Sequence, residues 1–257
     1  MARLVIEQLP VLSDNYVYLL HEPATGATAA VDPAVAAPVL DALAAKGWRL
    51  THVLNTHHHG DHTGGNLDLQ RATGCAVVGA RRDAERIPGI TVEVAEGESF
   101  MLGNAAAMVF ETPGHTSGHV AYWFPDSDAV FCGDTLFSLG CGRLFEGSPQ
   151  QMWASLCKLR DLPGHTRAFC AHEYTQSNGR FARLVERDNA ALQARLDQVE
   201  KLRAKGRPTV PSTIAEERAA NPFLRADVAA LAKAVGMEPG ADPAQVFAEL
   251  RRRKDVF

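Results

Sequence analysis

The chain has no run of apolar residues approaching the ~20 needed to span a bilayer, so no membrane partner is expected. Cysteine is scarce: five residues, an odd number, with no Cys-x-x-Cys spacing among them. That excludes a disulfide framework and a thiolate zinc site. Cys75, Cys132, Cys141, Cys157 and Cys170 mostly stand in apolar contexts and are expected to be reduced and buried. No Gly-x-Ser-x-Gly elbow offers a serine nucleophile. Neither sign of charge dominates, and a net charge of -4 gives no general attraction to nucleic acid or anionic membranes. The opening Met1-Ala2-Arg3-Leu4-Val5-Ile6-Glu7 turns acidic too soon for a signal peptide, which points to the cytoplasm. Internal repeats and low-complexity tracts are also missing. At 257 residues, 46% apolar and 22% charged, the chain reads as globular, with room for one large domain or two smaller ones.

Histidine is what the chain concentrates. Thr56-His57-His58-His59-Gly60-Asp61-His62 puts four imidazoles and a carboxylate directly after the apolar pair Val53-Leu54. Asn55, Thr56 and the breakers Gly60, Gly64 and Gly65 predict a strand that ends in a ligand-bearing turn. Side chains at i and i+2 of such a segment point the same way, so His57 and His59 can hold one ion while His58 points away. Asp61 and His62, one turn later, can reach a second. Imidazole and carboxylate without thiolate suit zinc, iron or manganese at an open catalytic site.

In chain order, strands are expected at 3–9, 16–21 and 26–31, the last closed by Asp32-Pro33. Val35, Val39, Leu40 and Leu43 mark a helix over 34–46 with Gly47 as its C-cap. A strand at 51–54, a short helix between Gly65 and Gly74, a strand at 75–79 and edge elements at 91–94 and 98–103 follow. Three more strand-like runs each deliver a potential ligand: 107–112 leads to His115, 129–133 to Asp134 and 167–171 to His172. Four strands with His or Asp at their ends build a site along one edge of a layered α/β protein. Chain geometry assigns His57, His59 and His115 to one ion and Asp61, His62 and His172 to another, leaving Asp134 to bridge. Two such ions lower the pKa of a shared water toward ~7 and polarise a carbonyl. Asp61 and Asp134, with the metal-bridging hydroxide, are the expected catalytic groups. From about Gly179 helical periodicity takes over, through a turn at Asn221-Pro222-Phe223 to a last helix capped by Asp242 with Pro243 behind it. The division is an α/β domain over 1–172 and a helical one over 173–257.

Thr-His-x-His-x-Asp-His with downstream Gly-His, Gly-Asp and His resembles the signature of the metallo-β-lactamase superfamily. Pro113-Gly114-His115-Thr116-Ser117-Gly118-His119, Gly140-Cys141-Gly142-Arg143, Ala171-His172-Glu173-Tyr174-Thr175, Asn221-Pro222-Phe223-Leu224-Arg225 and Arg252-Arg253-Lys254-Asp255 resemble the glyoxalase II (hydroxyacylglutathione hydrolase) family more closely. The resemblance implies a four-layer αββα sandwich with two divalent ions, zinc first and iron or manganese as alternatives. A smaller helical domain would follow and cover the glutathione part of the substrate. Residues matching Arg143, Tyr174, Arg251 and Lys254 contact glutathione in that family, while some members have Tyr in place of Phe145. The implied enzyme is a monomer that hydrolyses S-(2-hydroxyacyl)glutathione, such as S-D-lactoylglutathione, to D-lactate and glutathione in methylglyoxal detoxification.

The chemistry of the residues agrees. A thiolate leaving group, with a pKa near ~8.5, departs without a general acid, and the sequence offers no obvious extra proton donor. Glutathione carries two carboxylates, so a chain of net charge -4 needs a local cationic pocket, for which Arg251 and Lys254 are candidates and Arg252 and Arg253 read as surface charges. His119 reads as a strand or supporting histidine, Asp32 as either an orienting group or a turn cap, and His21, His52 and His165 as structural. A persulfide dioxygenase with one iron is the nearest rival, opposed by the complete Asp61-His62-His172 set and the helical tail. A lactonase or nuclease and a non-catalytic metal-binding protein are the others; the net charge opposes a nuclease and the open ligand set a scaffold.

Overall fold

The computed structural model of the chain describes residues 2–257 and divides into two compact units, residues 1–111 with 117–133 and residues 112–116 with 134–257.

The first unit opens with β1 (Val5–Val11), β2 (Asn15–His21), β3 (Thr28–Val31), α1 (Ala37–Lys46), β4 (His52–Leu54), α2 (Gly60–Thr63), α3 (Asn66–Thr73), β5 (Ala76–Ala80) and β6 (Val92–Val94). The six strands form one sheet in chain order, antiparallel from β1 to β3 and parallel from β3 to β6. Parallel neighbours need crossover connections, and α1 and α3 supply those on either side of β4. Gly47 ends α1 in the left-handed conformation, as its sequence position predicts. Val39 and Leu43 of α1 and Leu69 of α3 are buried with Val17, Leu19, Ala30, Val53 and Val77 of the sheet. Each of these valine and leucine side chains contributes about 1.5–3 kcal/mol when taken fully out of water.

A second set of strands, β7 (Ser99–Leu102), β8 (Ala105–Glu111), β9 (Val120–Phe124) and β10 (Ala129–Gly133), forms an antiparallel meander. β2 is buried on both faces. Val17 and Leu19 join the helix-side core, while Tyr18 meets Phe131 of β10 with ring centroids 5.5 Å apart. Helices, sheet and meander therefore stack as layers. The parallel strands β3 and β4 end in register, Val31 beside Leu54, with Leu54 beside Val78 two residues before the end of β5. Whatever follows them emerges along one edge.

The second unit begins with the hairpin β11 (Leu136–Phe137) and β12 (Gly140–Cys141), then α4 (Pro149–Arg160) and β13 (Arg167–Cys170). After these come α5 (Thr175–Val185), α6 (Ala190–Arg203), β14 (Ser212–Thr213), which pairs with β13, and α7 (Ile214–Ala220), α8 (Ala229–Ala234) and α9 (Pro243–Asp255). Phe223 holds the helices together, its ring 5.9 Å from both Phe181 and Phe247. Asp242 caps α9 through Ala244 N at 3.2 Å, and Val246, Phe247 and Leu250 turn inward, as periodicity predicts.

Three features depart from the sequence expectation. α5 starts at Thr175 rather than near Gly179, and Gly179 lies inside it, where a Cβ would sit 2.4 Å from Leu196 of α6. The glycine serves close packing of α5 on α6. α4 and α7 were not expected, although each opens on a capping box, Ser148 with Gln151 and Thr213 with Glu216. All five cysteines are free thiols, Cys157 half-buried and the others buried. Among the described residues no helix is long and apolar enough to cross a membrane.

Candidate metal centre and adjoining pocket

In the first unit the metal turn is built from behind. Asp32, just past β3, holds φ at 49°, a region side-chain-bearing residues seldom occupy. Its carboxylate accepts from Thr56 N at 2.8 Å and Thr56 Oγ1 at 2.7 Å, and lies 3.1 Å from His62 Nδ1. Asp32 therefore orients the turn, a choice the sequence left open. Having donated its proton to Asp32, Thr56 Oγ1 accepts from His57 Nδ1 at 3.0 Å. That leaves His57 Nε2 as an electron-pair donor, 3.0 Å from His59 Nδ1. His58 turns instead to buried Asp83, 2.9 Å away, as the i, i+2 alternation predicts. Gly60 does not break the chain but opens α2, whose single turn closes through Gly64 N to Gly60 O at 2.8 Å. This turn carries Asp61 and His62, with His62 Nε2 3.6 Å from Asp61 Oδ2 and Asn15 Nδ2 donating to the same oxygen. Buried His119 stacks on His57 at 4.9 Å, in a supporting position.

The second unit holds His115, Asp134 and His172. Asp134 turns one oxygen to each histidine: Oδ2 lies 3.4 Å from His115 Nε2, and Oδ1 lies 3.4 Å from His172 Nε2. His115 Nδ1 donates to the Arg143 carbonyl at 2.9 Å, which leaves its Nε2 free of a proton. Gly142 is required between them, since a Cβ would stand 2.0 Å from the Asp134 carbonyl oxygen. Tyr174 stacks on His172, centroids 4.7 Å apart and planes 3° from parallel.

These donors fit divalent ions. A tetrahedral ion with ligands at about 2.0–2.1 Å holds its ligand atoms about 3.3 Å from one another. The separations inside the two units, 3.0, 3.4 and 3.6 Å, bracket that value. Imidazoles tied at Nδ1, as His57 is to a hydroxyl and His115 to a carbonyl, are how proteins fix metal-ligating tautomers.

His115 and Asp134 also line a cavity of about 660 Å³ within the second unit, together with Arg143, Phe145, Tyr174 and Lys254. Arg180, which sequence reasoning missed, lines it too. Lys254 Nζ lies 3.3 Å from the Ser177 carbonyl and 5.0 Å from the Phe257 ring centre. Burial first, and then the neighbouring guanidinium groups of Arg251, Arg180 and Arg143, bring its pKa down to about 8. Burial pushes the Cys141 and Cys170 thiols up to about 11 and about 12, so neither supplies a thiolate nucleophile near neutral pH.

Layered α/β architecture and two sets of histidines and aspartates, most of them buried, define a metallo-hydrolase of the metallo-β-lactamase type, and the profile of the Metallo-beta-lactamase superfamily matches residues 14–172. The profile described as Hydroxyacylglutathione hydrolase C-terminus matches residues 173–257. A hydroxyacylglutathione hydrolase of Methylococcus capsulatus is 65% identical over 99% of this chain and 99% of its own length. One from Rhodospirillum rubrum is 58% identical over the whole of both. Among solved structures, ETHE1 from Myxococcus xanthus has a TM-score of 0.70 at 27% identity, covering 96% of this chain and 90% of that one. The chain belongs to the hydroxyacylglutathione hydrolase family and is an enzyme that binds divalent metal.

Proposed function

We propose that the chain hydrolyses S-(2-hydroxyacyl)glutathione thioesters, S-D-lactoylglutathione first among them, to a 2-hydroxy acid and glutathione. The observation that carries this reading is Asp134, which offers one oxygen to each of two imidazoles and lines a cationic cavity. His57, His59 and His115 would hold one ion and Asp61, His62 and His172 the other, with Asp134 shared; zinc suits this set best, iron and manganese also. Bound there, the ions would supply hydroxide at neutral pH and polarise the thioester carbonyl.

The chain's own residues do the rest. Arg143 and Lys254 attract the two carboxylates of glutathione, and Tyr174 packs between that pocket and His172. The Arg143 carbonyl keeps His115 in one tautomer, so substrate recognition and ligand orientation share one residue. The leaving thiolate needs no proton donor. The meeting of the two family profiles at residues 172 and 173 supports a catalytic domain over 1–172 and a substrate-binding one over 173–257. All invoked residues lie on one chain, which favours a monomer, and a glutathione substrate favours the cytoplasm. Steady-state hydrolysis of S-D-lactoylglutathione, with metal counted on the same sample, tests the reading; full metal loading without turnover would sink it.

Two further outcomes are expected. Lys254 is charged below pH 8 and loses its charge as pH rises through about 8. Calorimetric affinity for S-methylglutathione, which has no titrating thiol, should hold below that pH and fall above it, at most about tenfold per pH unit. An affinity that climbs there would remove Lys254 from the pocket. Phe145 is 63% exposed, and its ring sits edge-on to His115 at 5.2 Å. Phe145→Tyr restores the hydroxyl that some family members carry and should lower KM about fivefold, the worth of one hydrogen bond.

A further inference from the structure

A cavity read as a site for a dianion contains a carboxylate of its own. Asp255 ends α9 and lines the cavity beside Arg143, Arg180, Arg251 and Lys254. A like charge opposes an anionic ligand, so electrostatics alone would favour its absence. Its contacts give it a different task. Arg251 Nε donates to Asp255 Oδ1 at 3.1 Å, Nη2 forms an ion pair with the same oxygen at 2.9 Å, and Arg251 Nη1 donates to the Cys141 carbonyl at 3.0 Å. The guanidinium carbon also lies 5.2 Å from the centre of the Phe223 ring. Arg251 is thus held from every side and only 5% exposed. The same Asp255 oxygen lies 3.9 Å from Arg143 Nε. One oxygen therefore draws together two arginines from distant segments. Through Arg251 it also fixes the carbonyl two residues before Arg143, whose own carbonyl orients His115.

Resting on the reading of this cavity as the glutathione site, we infer that Asp255 is a positioning residue for substrate. It clamps Arg251 and Arg143 into a preformed cradle, so that the substrate's carboxylates meet fixed cations. Without it the cations repel one another, and the substrate must order them as it binds, which weakens binding.

The sign of the effect tests this. Asp255→Asn removes a negative charge from an anion pocket, yet it should weaken S-methylglutathione binding about tenfold, the loss expected for a charged hydrogen bond. The loss in S-D-lactoylglutathione hydrolysis should fall on KM rather than kcat, and Asp255→Glu should recover part of it. The Asp255 side chain is 40% exposed, so the melting temperature should move little. Unchanged or tighter binding by Asp255→Asn would overturn the inference while leaving the thioesterase reading intact. Failure of the unmodified protein to bind S-methylglutathione would overturn the glutathione reading, and this inference with it.

Discussion

Asp134→Asn is expected to slow thioester hydrolysis by about a thousandfold, because it removes several kcal/mol of charge stabilisation from the reacting centre. The amide keeps the shape of the carboxylate, so the protein should fold. It cannot keep two anionic oxygens. Oδ1 and Oδ2 each stand 3.4 Å from a different histidine Nε2, so no single oxygen serves both. An amide presents one oxygen and one NH2, and the NH2 cannot ligate an ion. Whichever way it turns, one histidine loses its anionic neighbour. Metal content should fall along with kcat, while S-methylglutathione binding, which depends on Arg143, Tyr174 and Lys254, should change little. A variant with full metal and the original kcat would remove Asp134 from the bridging role.

What the sequence made legible was local. The positions of His57, His58 and His59 follow from i, i+2 alternation, and the start of α9 follows from Asp242 and Pro243. Asp32 was ambiguous because its role depends on β3 lying parallel to β4, which brings Val31 beside Leu54. No pattern within either segment specifies that pairing. The run Arg251-Arg252-Arg253-Lys254 looks uniform, yet Arg251 is buried and Arg252 exposed. The helical period held the clue: Phe247, Leu250, Arg251 and Lys254 recur at three- and four-residue spacing, on the face toward Phe223 and Phe181. Asp255 and Arg180 come into the cavity from separate helices, α9 and α5, and no periodicity links them.

Exhaustive chelation should abolish hydrolysis, and two equivalents of zinc should restore it; no other group in the cavity can replace what is lost. The thiols of Cys141 and Cys170 are held protonated by burial, and no serine elbow exists to attack in their place. Chelation should also lower the melting temperature, because ions that bind only the folded state stabilise it by mass action. His57, His62, His115, Asp134 and His172 are all buried. Left without ions, each remains a polar group held out of water, at a cost to the folded state. S-methylglutathione should still bind the chelated protein, since the cationic pocket needs no metal to hold a carboxylate. That separation identifies the role of the ions: they act on the thioester and not on recognition of the thiol. If one equivalent of iron restored oxygen uptake on glutathione persulfide and no thioester hydrolysis returned, the chemistry would be a dioxygenase's. The proposed assignment of Asp61, His62 and His172 to a second ion argues against that outcome, because a single-iron enzyme needs no such set.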